Sequence, residues 1–239
     1  MTDLLALRGV WAGYGGSDVL RDLTIAVPEG SVTCIVGPNG AGKSTILRVV
    51  SGQLKPRRGS VLFGDGHDIA GRSPRQILGL GIVQVAQNHT LFPDMTVREN
   101  VELGGFLVRD RAVVARRLKL VTELFPIVHE RARDKAGSLS GGQQRLVKFA
   151  RCLMLEPRLV VLDEPSMGLD PKTLRLVLRQ VRAMSESGRT VLLVEQNVRA
   201  GLSLATHAAV VESGHVRLEG SGADLRKSSE IAHLYLGVH

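Results

Sequence analysis

Hydrophobic residues along this chain gather in short runs that contain many β-branched side chains. Four of these runs are apolar at nearly every position, which is typical of strands buried on both faces of a parallel sheet. Helices are expected to cover the two faces of such a sheet. The pattern therefore predicts an α/β fold, with central parallel strands at 32–36, 82–85, 159–162 and 191–194.

Further apolar segments predict strands outside this central sheet. A small antiparallel sheet is indicated by the segments 4–12, 23–27 and 60–63. A closing hairpin around Ser213-Gly214 is indicated by 208–212 and 215–219. Between 87 and 157 the pattern is helical, with no obvious strand. We expect a single domain over 1–239, composed of an α/β core at 1–86 and 158–239 and an inserted helical subdomain at 87–157.

A glycine-rich segment follows the first parallel strand and leads into a helical run at 46–50. Its glycines let the backbone turn and bring several N–H groups towards one anion. Lys43 adds a cation, Ser44 offers a hydroxyl group to Mg²⁺, and the dipole of the helix favours phosphate. The alternative is a Gly-rich turn without a ligand, but strand, loop, Lys-Ser and helix follow in the order of a phosphate loop. The segment consists of Gly37, Pro38, Asn39, Gly40, Ala41, Gly42, Lys43, Ser44 and Thr45.

Two acidic residues follow the apolar run at 159–162. Ligands bind at the carboxyl ends of parallel strands, which is where Asp163 and Glu164 are predicted to lie. Asp163 would hold Mg²⁺ directly or through water, and Glu164 would orient or deprotonate the attacking water in phosphoryl transfer. A helix cap made by two acids and followed by a proline is the alternative, which the phosphate loop makes less favourable.

A third segment begins a second helix with a serine and two glycines. Ser140, Gly141 and Gly142 can present N–H groups at the start of a helix that continues through Gln143 to Leu155, and this would form a second anion site. One nucleotide already has its own phosphate loop, so a second cradle suggests a second chain. A helix cap without ligand would be the better interpretation of an isolated Ser-Gly-Gly. The full segment is Leu139, Ser140, Gly141, Gly142, Gln143, Gln144 and Arg145.

These three segments together resemble the ATPase subunit of an ABC transporter, and the resemblance extends over nearly the whole chain. It implies a P-loop NTPase fold with a RecA-like parallel sheet core, an antiparallel β subdomain and an inserted helical subdomain. It also implies ATP and Mg²⁺ as ligands. In this family the segment at 139–145, the signature motif, closes over the γ-phosphate that the opposing subunit holds.

Three further residues take their meaning from this resemblance. Tyr14 resembles the aromatic residue that stacks on adenine, although it could be an exposed tyrosine in a hairpin. Gln87 resembles the glutamine that reaches towards Mg²⁺ and senses the transporter; Gln84 is a nearby competitor whose spacing to 91–100 fits less well. Asp170 resembles the loop residue that couples the two ATP sites. For each polar residue the alternative is a solvated loop side chain.

One position departs from the family pattern. Gln196 follows the strand at 191–194, where the family usually has a histidine that contacts the γ-phosphate. Glutamine can still donate a hydrogen bond, but it cannot carry a positive charge. The departure bears on how fast the site turns over, whereas Glu164 is still in place to act on water.

The sequence around Gln196 also resembles one particular subfamily. Val194-Glu195-Gln196-Asn197, the segment 71–100 and the ending 234–237 are similar to one of the two ATPase subunits of bacterial branched-chain amino acid importers. Urea importers have similar subunits, and an exported lipid is a further alternative cargo. A soluble ABC ATPase outside transport is the alternative function. The resemblance implies as partners a second ATPase subunit, two membrane permeases and a periplasmic or extracellular substrate-binding protein.

Composition limits the other function classes. The formal charge is +8, but lysine and arginine are dispersed and aromatic residues make up only 3%, which disfavours nucleic acid because few side chains could stack on bases. Neither a signal peptide nor an apolar run of membrane-spanning length is evident, so we expect a cytoplasmic protein held at the inner face of the membrane by its permeases. Cys34 and Cys152 are expected to be reduced thiols in the core.

Overall fold

The computed structural model describes residues 2–85, 91–229 and 231. The strands are β1 (Asp3–Tyr14), β2 (Ser17–Pro28), β3 (Val32–Val36), β4 (Arg58–Phe63), β5 (His67–Asp68), β6 (Ile82–Val85), β7 (Leu159–Asp163), β8 (Thr190–Glu195), β9 (His207–Glu212) and β10 (His215–Gly220). The helices are α1 (Lys43–Val50), α2 (Pro74–Gly79), α3 (Val97–Glu102), α4 (Arg111–Leu124), α5 (Ile127–Glu130), α6 (Gly141–Leu153), α7 (Pro171–Glu186), α8 (Val198–Leu204) and α9 (Gly222–Lys227). Short 3₁₀ turns occupy Leu103–Gly105 and Ala136–Ser138.

The larger sheet has six strands in the order β10-β9-β3-β8-β7-β6. Its pairs from β9 through β6 are parallel, and β10 closes the sheet as an antiparallel hairpin with β9. The four predicted central strands are all present, and the hairpin around Ser213-Gly214 is confirmed. The register pairs Val36 with Glu195 and Asp163 with Val194, so the carboxyl ends of β3, β8 and β7 lie at one edge of the sheet.

The smaller sheet is antiparallel, with the order β2-β1-β4-β5. It confirms the predicted antiparallel sheet but begins β2 at Ser17, six residues before the predicted start. Of these six residues Leu20 is fully buried and the others are exposed or partly buried, and the segment is held by backbone pairing to β1 across a turn at Gly15 and Gly16, both of which have positive φ. Apolar content alone could not indicate this extension, because the pairing, rather than burial, makes these residues a strand.

Two hydrophobic clusters hold the layers together. One lies between the two sheets and packs around Ile46 and Leu47 of α1. The other lies on the opposite face of the six-stranded sheet and includes Phe125 and Phe149 from the helical region. Aliphatic side chains make up most of both clusters. Because α1 is anchored between the sheets, the loop before it is held at the sheet edge where the central strands end.

The helical region follows β6, as predicted, and contains α3 to α6. Residues 86–90 lie outside the described residues, and so therefore does the predicted site residue Gln87. The helix α6 spans Gly141–Leu153, with Met154 as its C-cap, so it ends slightly before the predicted Leu155. The division into a core and a helical subdomain stays a prediction. Within the described part of the chain, none of the helices has both the length and the apolar character that a membrane span requires.

Candidate functional site

The loop 37–42 joins the end of β3 to the start of α1. Gly42 is the N-cap of α1 and has φ +107°, a backbone conformation that side chains with a Cβ rarely adopt. A Cβ at this position would also lie 2.7 Å from Leu20. The first turn of α1 carries no acidic residue and no side-chain cap, so its N–H groups and its dipole are free to face an anion. Within the predicted phosphate loop, Pro38, Asn39, Gly40 and Ser44 are exposed, and Gly37, Ala41, Gly42, Lys43 and Thr45 are buried.

Lys43 lies beneath this loop and is held by it. Its Nζ donates to the carbonyl oxygen of Gly37 at 2.8 Å and to that of Pro38 at 3.0 Å. Burial lowers the pKa of Lys43, and the nearby carboxylates of Glu164, Asp163 and Glu195 oppose that shift. The structure therefore brings the cation of the loop and the acids at the ends of β7 and β8 into one electrostatic site.

Asp163 and Glu164 lie at the edge of the sheet where β7 ends. Burial and the neighbouring Glu164 raise the pKa of Asp163, while Arg48 and Lys43 lower it. Glu164 has φ +45°, and its N–H donates to the carbonyl oxygen of Val194 at 3.0 Å. A non-glycine residue in this region is strained and persists only where its surroundings fix it, as they often do at functional sites. Asp163 and Glu164 are thus the end of a strand and a fixed turn, not a helix cap.

The residues at this edge fit Mg²⁺. Magnesium binds oxygen ligands, usually one or two protein groups together with phosphate oxygens and waters. Ser44 exposes its hydroxyl in the first turn of α1, and the half-buried carboxylate of Asp163 lies close enough to the neighbouring Lys43 for the two charges to interact. These two groups would hold the ion, whose contribution when bound is to neutralise charge on the phosphates.

The signature segment forms the start of α6. Ser140 is the N-cap, with its hydroxyl accepting from the N–H of Gln143 at 3.3 Å while the Gln143 side chain accepts from the N–H of Ser140 at 2.9 Å. Ser140 and Gly141 are exposed, whereas Leu139 and Gly142 are buried. This is a capped helix end with its first residues open to solvent, where a second anion could approach.

Arg145, in the second turn of α6, connects this helix to the loop after Asp163 and Glu164, at the acidic edge of the sheet. Its guanidinium donates to the carbonyl oxygens of Pro165 and Met167, on either side of Ser166. The sequence pattern includes Arg145 in the motif but indicates no role for it. The only signal in the sequence is its position two residues after Gln143, because its partners lie about twenty residues further along the chain.

Tyr14 lies at the end of β1 and is 44% exposed. The guanidinium of Arg48 lies 5.5 Å from the centre of its ring and donates to its hydroxyl at 2.9 Å. Arg48 also lowers the pKa of Asp163, so it links the tyrosine electrostatically to the acidic edge. Sequence reasoning missed Arg48, although it lies four residues after Ser44 and therefore on the same side of α1.

Gln196 lies just after β8 and is exposed. On one side Asn197 caps α8 by accepting from the N–H of Ala200 at 3.1 Å. On the other side Glu195 is only 2% exposed, and its carboxylate accepts from both the N–H and the hydroxyl of Ser166. Glu195 is a further residue that sequence reasoning missed; its signal was an acid at the end of a strand that is otherwise apolar.

Asp170 is the N-cap of α7. Its carboxylate accepts from the N–H groups of Lys172 and Thr173 and from the Thr173 hydroxyl at 2.5 Å. The hydrogen bonds from Thr173 lower its pKa most. A structural role as a helix cap is therefore established, and its coupling role between two ATP sites stays a prediction.

Comparisons with known proteins by family model, by sequence and by structure all find the same class of protein. A family model described as "ABC transporter" matches residues 20–167. The high-affinity branched-chain amino acid transport ATP-binding protein BraG of Pseudomonas aeruginosa is 35% identical, over 98% of this chain and 100% of its own. The Nod factor export ATP-binding protein I of Cupriavidus pinatubonensis is 34% identical, over 94% of this chain and 68% of its own. A crystal structure of an ABC transporter ATP-binding cassette in its ADP conformation has a TM-score of 0.89 at 29% identity, with full coverage of both chains.

Proposed function

The chain belongs to the ATP-binding subunits of ABC transporters, which are ATPases, and from this premise we propose that it powers the import of amino acids, with branched-chain amino acids as its cargo. The observation that supports an active ATPase is the meeting of Lys43, Asp163 and Glu164 at one edge of the sheet. The observation that favours this cargo is the full-length similarity to BraG.

The proposed chemistry assigns each residue one task. The N–H groups of the loop 37–42 and the Lys43 ammonium bind the phosphates, and Ser44 and Asp163 hold Mg²⁺. Glu164 orients the attacking water and accepts its proton, while Gln196 donates a hydrogen bond to the γ-phosphate. Tyr14 stacks on the adenine. Lys43 can move from its carbonyl partners to phosphate oxygens without leaving the loop, because Gly37 and Pro38 line the same turn.

A second subunit completes the site in this proposal. The exposed start of α6, with Ser140 and Gly141, would face the γ-phosphate bound by a partner chain, and Asp170 would lie between the two ATP sites. Two head-to-tail copies would enclose two ATP molecules, and hydrolysis would reopen the pair. This contact exists only in the closed state, so ATP binding favours closure by the differential contact alone.

The permeases would bind the groove between β6 and the helical region. This groove has a volume of about 440 Å³ and an apolar lining that includes Val83, Phe92 and Phe106, with Lys148 beside them. Phe92 and Phe106 are 53% and 69% exposed, and large exposed aromatic side chains commonly mark interaction surfaces. We place the chain at the inner face of the membrane, with a substrate-binding protein on the other side. The charge of +8 favours an anionic leaflet.

A second candidate keeps the ATPase and changes the cargo. The 34% identity to a Nod factor export protein favours an exported cargo. In this proposal the cargo passes through the permeases and not through the ATPase subunit, so transport has to be measured. Uptake of radiolabelled leucine should fall when the gene is deleted from its host and return with the wild-type gene. Unchanged leucine uptake would contradict the amino acid proposal.

The catalytic proposal is tested on the purified chain with MgATP. We expect the hydrolysis rate to rise with the square of protein concentration at low concentration, because two chains form each site. Glu164→Gln should abolish hydrolysis while ATP remains bound, with the dimer more closed. Hydrolysis at the wild-type rate by this variant would show that the role given to Glu164 is wrong.

A mixing experiment tests whether the signature segment serves the partner. Lys43→Ala and Ser140→Arg chains should each be inactive alone. In a mixed dimer, the intact loop of one chain meets the intact signature of the other, so an equal mixture should recover about a quarter of the wild-type rate. No recovery would mean that each signature serves its own chain. Loss of ATP binding by the Ser140→Arg monomer would lead to the same conclusion.

A further inference from the structure

The loop after Glu164 is held from two sides by charged residues that have no assigned role. On one side the Oε1 atom of Glu195 accepts from the N–H of Ser166 at 2.8 Å, and Oε2 accepts from the Ser166 hydroxyl at 2.6 Å. On the other side Arg145 donates to the carbonyl oxygens of Pro165 and Met167. Three consecutive residues are therefore fixed through side chains that come from β8 and α6.

Glu195 is a costly residue to place here. It is 2% exposed at the end of a strand whose other residues are all buried, and burying a carboxylate is unfavourable unless it is hydrogen-bonded and paired. Its carboxylate accepts from Ser166 and from the N–H of Asn197, and its charge lies near Lys43 and Arg145 but also near Glu164. An apolar residue would pack the strand end without this cost, so the role of the carboxylate lies in the hydrogen bonds that it accepts from Ser166.

The contact between Glu195 and Ser166 lies between two residues of the proposed chemistry, Glu164 and Gln196. Gln196 directly follows Glu195 and is fixed on its far side by the Asn197 cap. Glu164 lies two residues before Ser166, and its strained backbone is tied to the strand of Glu195 through the carbonyl oxygen of Val194. A shift of Ser166 would therefore move both Glu164 and Gln196.

We propose that Glu195 and Arg145 are positioning residues that hold the loop 165–167, set Glu164 and Gln196 for hydrolysis, and link this site to the signature helix. The inference rests on the proposed function. Arg145 lies on the helix whose first residues would contact the partner's nucleotide, so any movement of that helix is transmitted to the loop through its two carbonyl contacts. Small displacements of positioned groups are enough to change rates strongly.

The test replaces Glu195 by residues of similar length. Glu195→Met loses both hydrogen bonds to Ser166, and we expect kcat to fall by about 10- to 100-fold, since a displacement near 1 Å can have this effect. The dissociation constant for ATP should stay within about threefold, because the phosphate loop is unchanged. Glu195→Gln can still accept from the N–H of Ser166 and donate to its hydroxyl, so it should restore most of kcat.

A matched control lies at the other end of the same strand. Thr190 is also buried, and its hydroxyl accepts from the N–H of Gly30 at 2.9 Å, away from the acidic edge. Thr190→Val should lower Tm and leave kcat per folded protein unchanged. If Thr190→Val lowers kcat as much as Glu195→Met, or if Glu195→Met hydrolyses ATP at the wild-type rate, the positioning role is wrong.

Arg145→Met tests the second side of the loop. Because both residues hold the same three-residue segment, the double variant with Glu195→Met should lose less than the product of the two single losses. A product of the two losses would contradict a shared role. Glu164→Gln separates the two proposals: wild-type hydrolysis by that variant would refute the proposed chemistry, whereas its inactivity beside a fully active Glu195→Met would refute only the positioning role.

Discussion

The side chain of Thr173 lies directly against Gly142, so that a Cβ at position 142 would stand 2.1 Å from the Thr173 methyl carbon. Thr173 cannot easily turn away, since its hydroxyl donates to Asp170 at 2.5 Å. The second glycine of the signature segment is therefore required by the close packing of α6 on the start of α7. The signature helix and the helix capped by Asp170 are in contact within one chain.

Gly142→Ala should accordingly destabilise the protein, by about 1–3 kcal/mol in the free energy of unfolding, as is usual for overpacking. Urea unfolding would measure this change. Gly141 is the matched control, because a Cβ there meets no atom within 4 Å, and Gly141→Ala should leave stability equal or slightly higher.

A second variant shows whether the clash with Thr173 is the cause. Thr173→Ser removes the methyl group and keeps the hydroxyl that bonds to Asp170. Added to Gly142→Ala, it should restore most of the lost stability. Equal destabilisation by Gly141→Ala and Gly142→Ala, or no recovery with Thr173→Ser, would show that the packing argument is mistaken.

The contact between Gly142 and Thr173 also shows what the sequence could not indicate. The pattern at 139–145 predicts backbone N–H groups at a helix start; α6 does begin there with Ser140 as its N-cap, and the contact with an anion stays a prediction. The need for a glycine at 142 depends on a residue in another helix, which no local pattern records. Glu195 and Arg145 are similar cases, since Ser166 and Glu195 are 29 residues apart and meet only because β7 and β8 pair in parallel.

Those parts of the fold that follow local rules were predictable. The four central strands are continuous apolar runs, and Lys43 and Asp163 come together because the carboxyl ends of parallel strands meet at one edge. The start of β2 was not predictable from burial, because most of its first residues are exposed or partly buried and are held by pairing. Arg48 had a signal in its spacing from Ser44, but its contact with Tyr14 required the position of β1.

Tyr14 provides a prediction about the adenine. If its ring stacks on the base, Tyr14→Ala should weaken ATP binding by about 1–3 kcal/mol, which is the usual value for base–aromatic stacking. Tyr14→Phe keeps the ring and loses only the hydrogen bond from Arg48, so its ATP affinity should remain close to that of the wild type. Isothermal titration calorimetry with Mg²⁺ and a non-hydrolysable ATP analogue would measure both. Equal affinities for Tyr14→Ala and the wild type would favour an exposed hairpin tyrosine without a ligand role.

The two cysteines are free and buried, as predicted, and this has consequences for pH. Burial raises the pKa of Cys152 to about 12 and raises that of Cys34 well above its ordinary value. The thiolate is the reactive form, so both thiols should react slowly with Ellman's reagent at pH 8 in the folded protein. Both should react rapidly after unfolding in guanidinium chloride. Fast labelling of two thiols in the folded protein would contradict their burial.

Stability should also fall at alkaline pH through these thiols. In the unfolded chain a thiol ionises near its ordinary pKa of 9.0, while folded Cys152 keeps its proton up to about 12. The folded state therefore binds more protons in this window, and the free energy of unfolding decreases as pH rises, by about 1.4 kcal/mol per pH unit for one thiol. Cys152→Ala lacks this contribution, so the wild type should lose stability relative to this variant as pH rises from 9 to 11. A constant difference would contradict the raised pKa.

Gln196 provides the last prediction, because a histidine usually occupies its position in this family. Gln196 is exposed, so Gln196→His requires no repacking and should keep or raise kcat. Histidine has an ordinary pKa of about 6.5, and the variant should gain activity relative to the wild type as pH falls towards 6, where the imidazole is charged.

Gln196→Ala removes the donor and should lower kcat by about 100-fold, as loss of one donor to a developing charge does elsewhere. ATPase rates of the three proteins across pH 6–8 would decide. Wild-type activity of Gln196→Ala would mean that this side chain does not contact the γ-phosphate, and a collapse of Gln196→His would mean that the local structure requires glutamine.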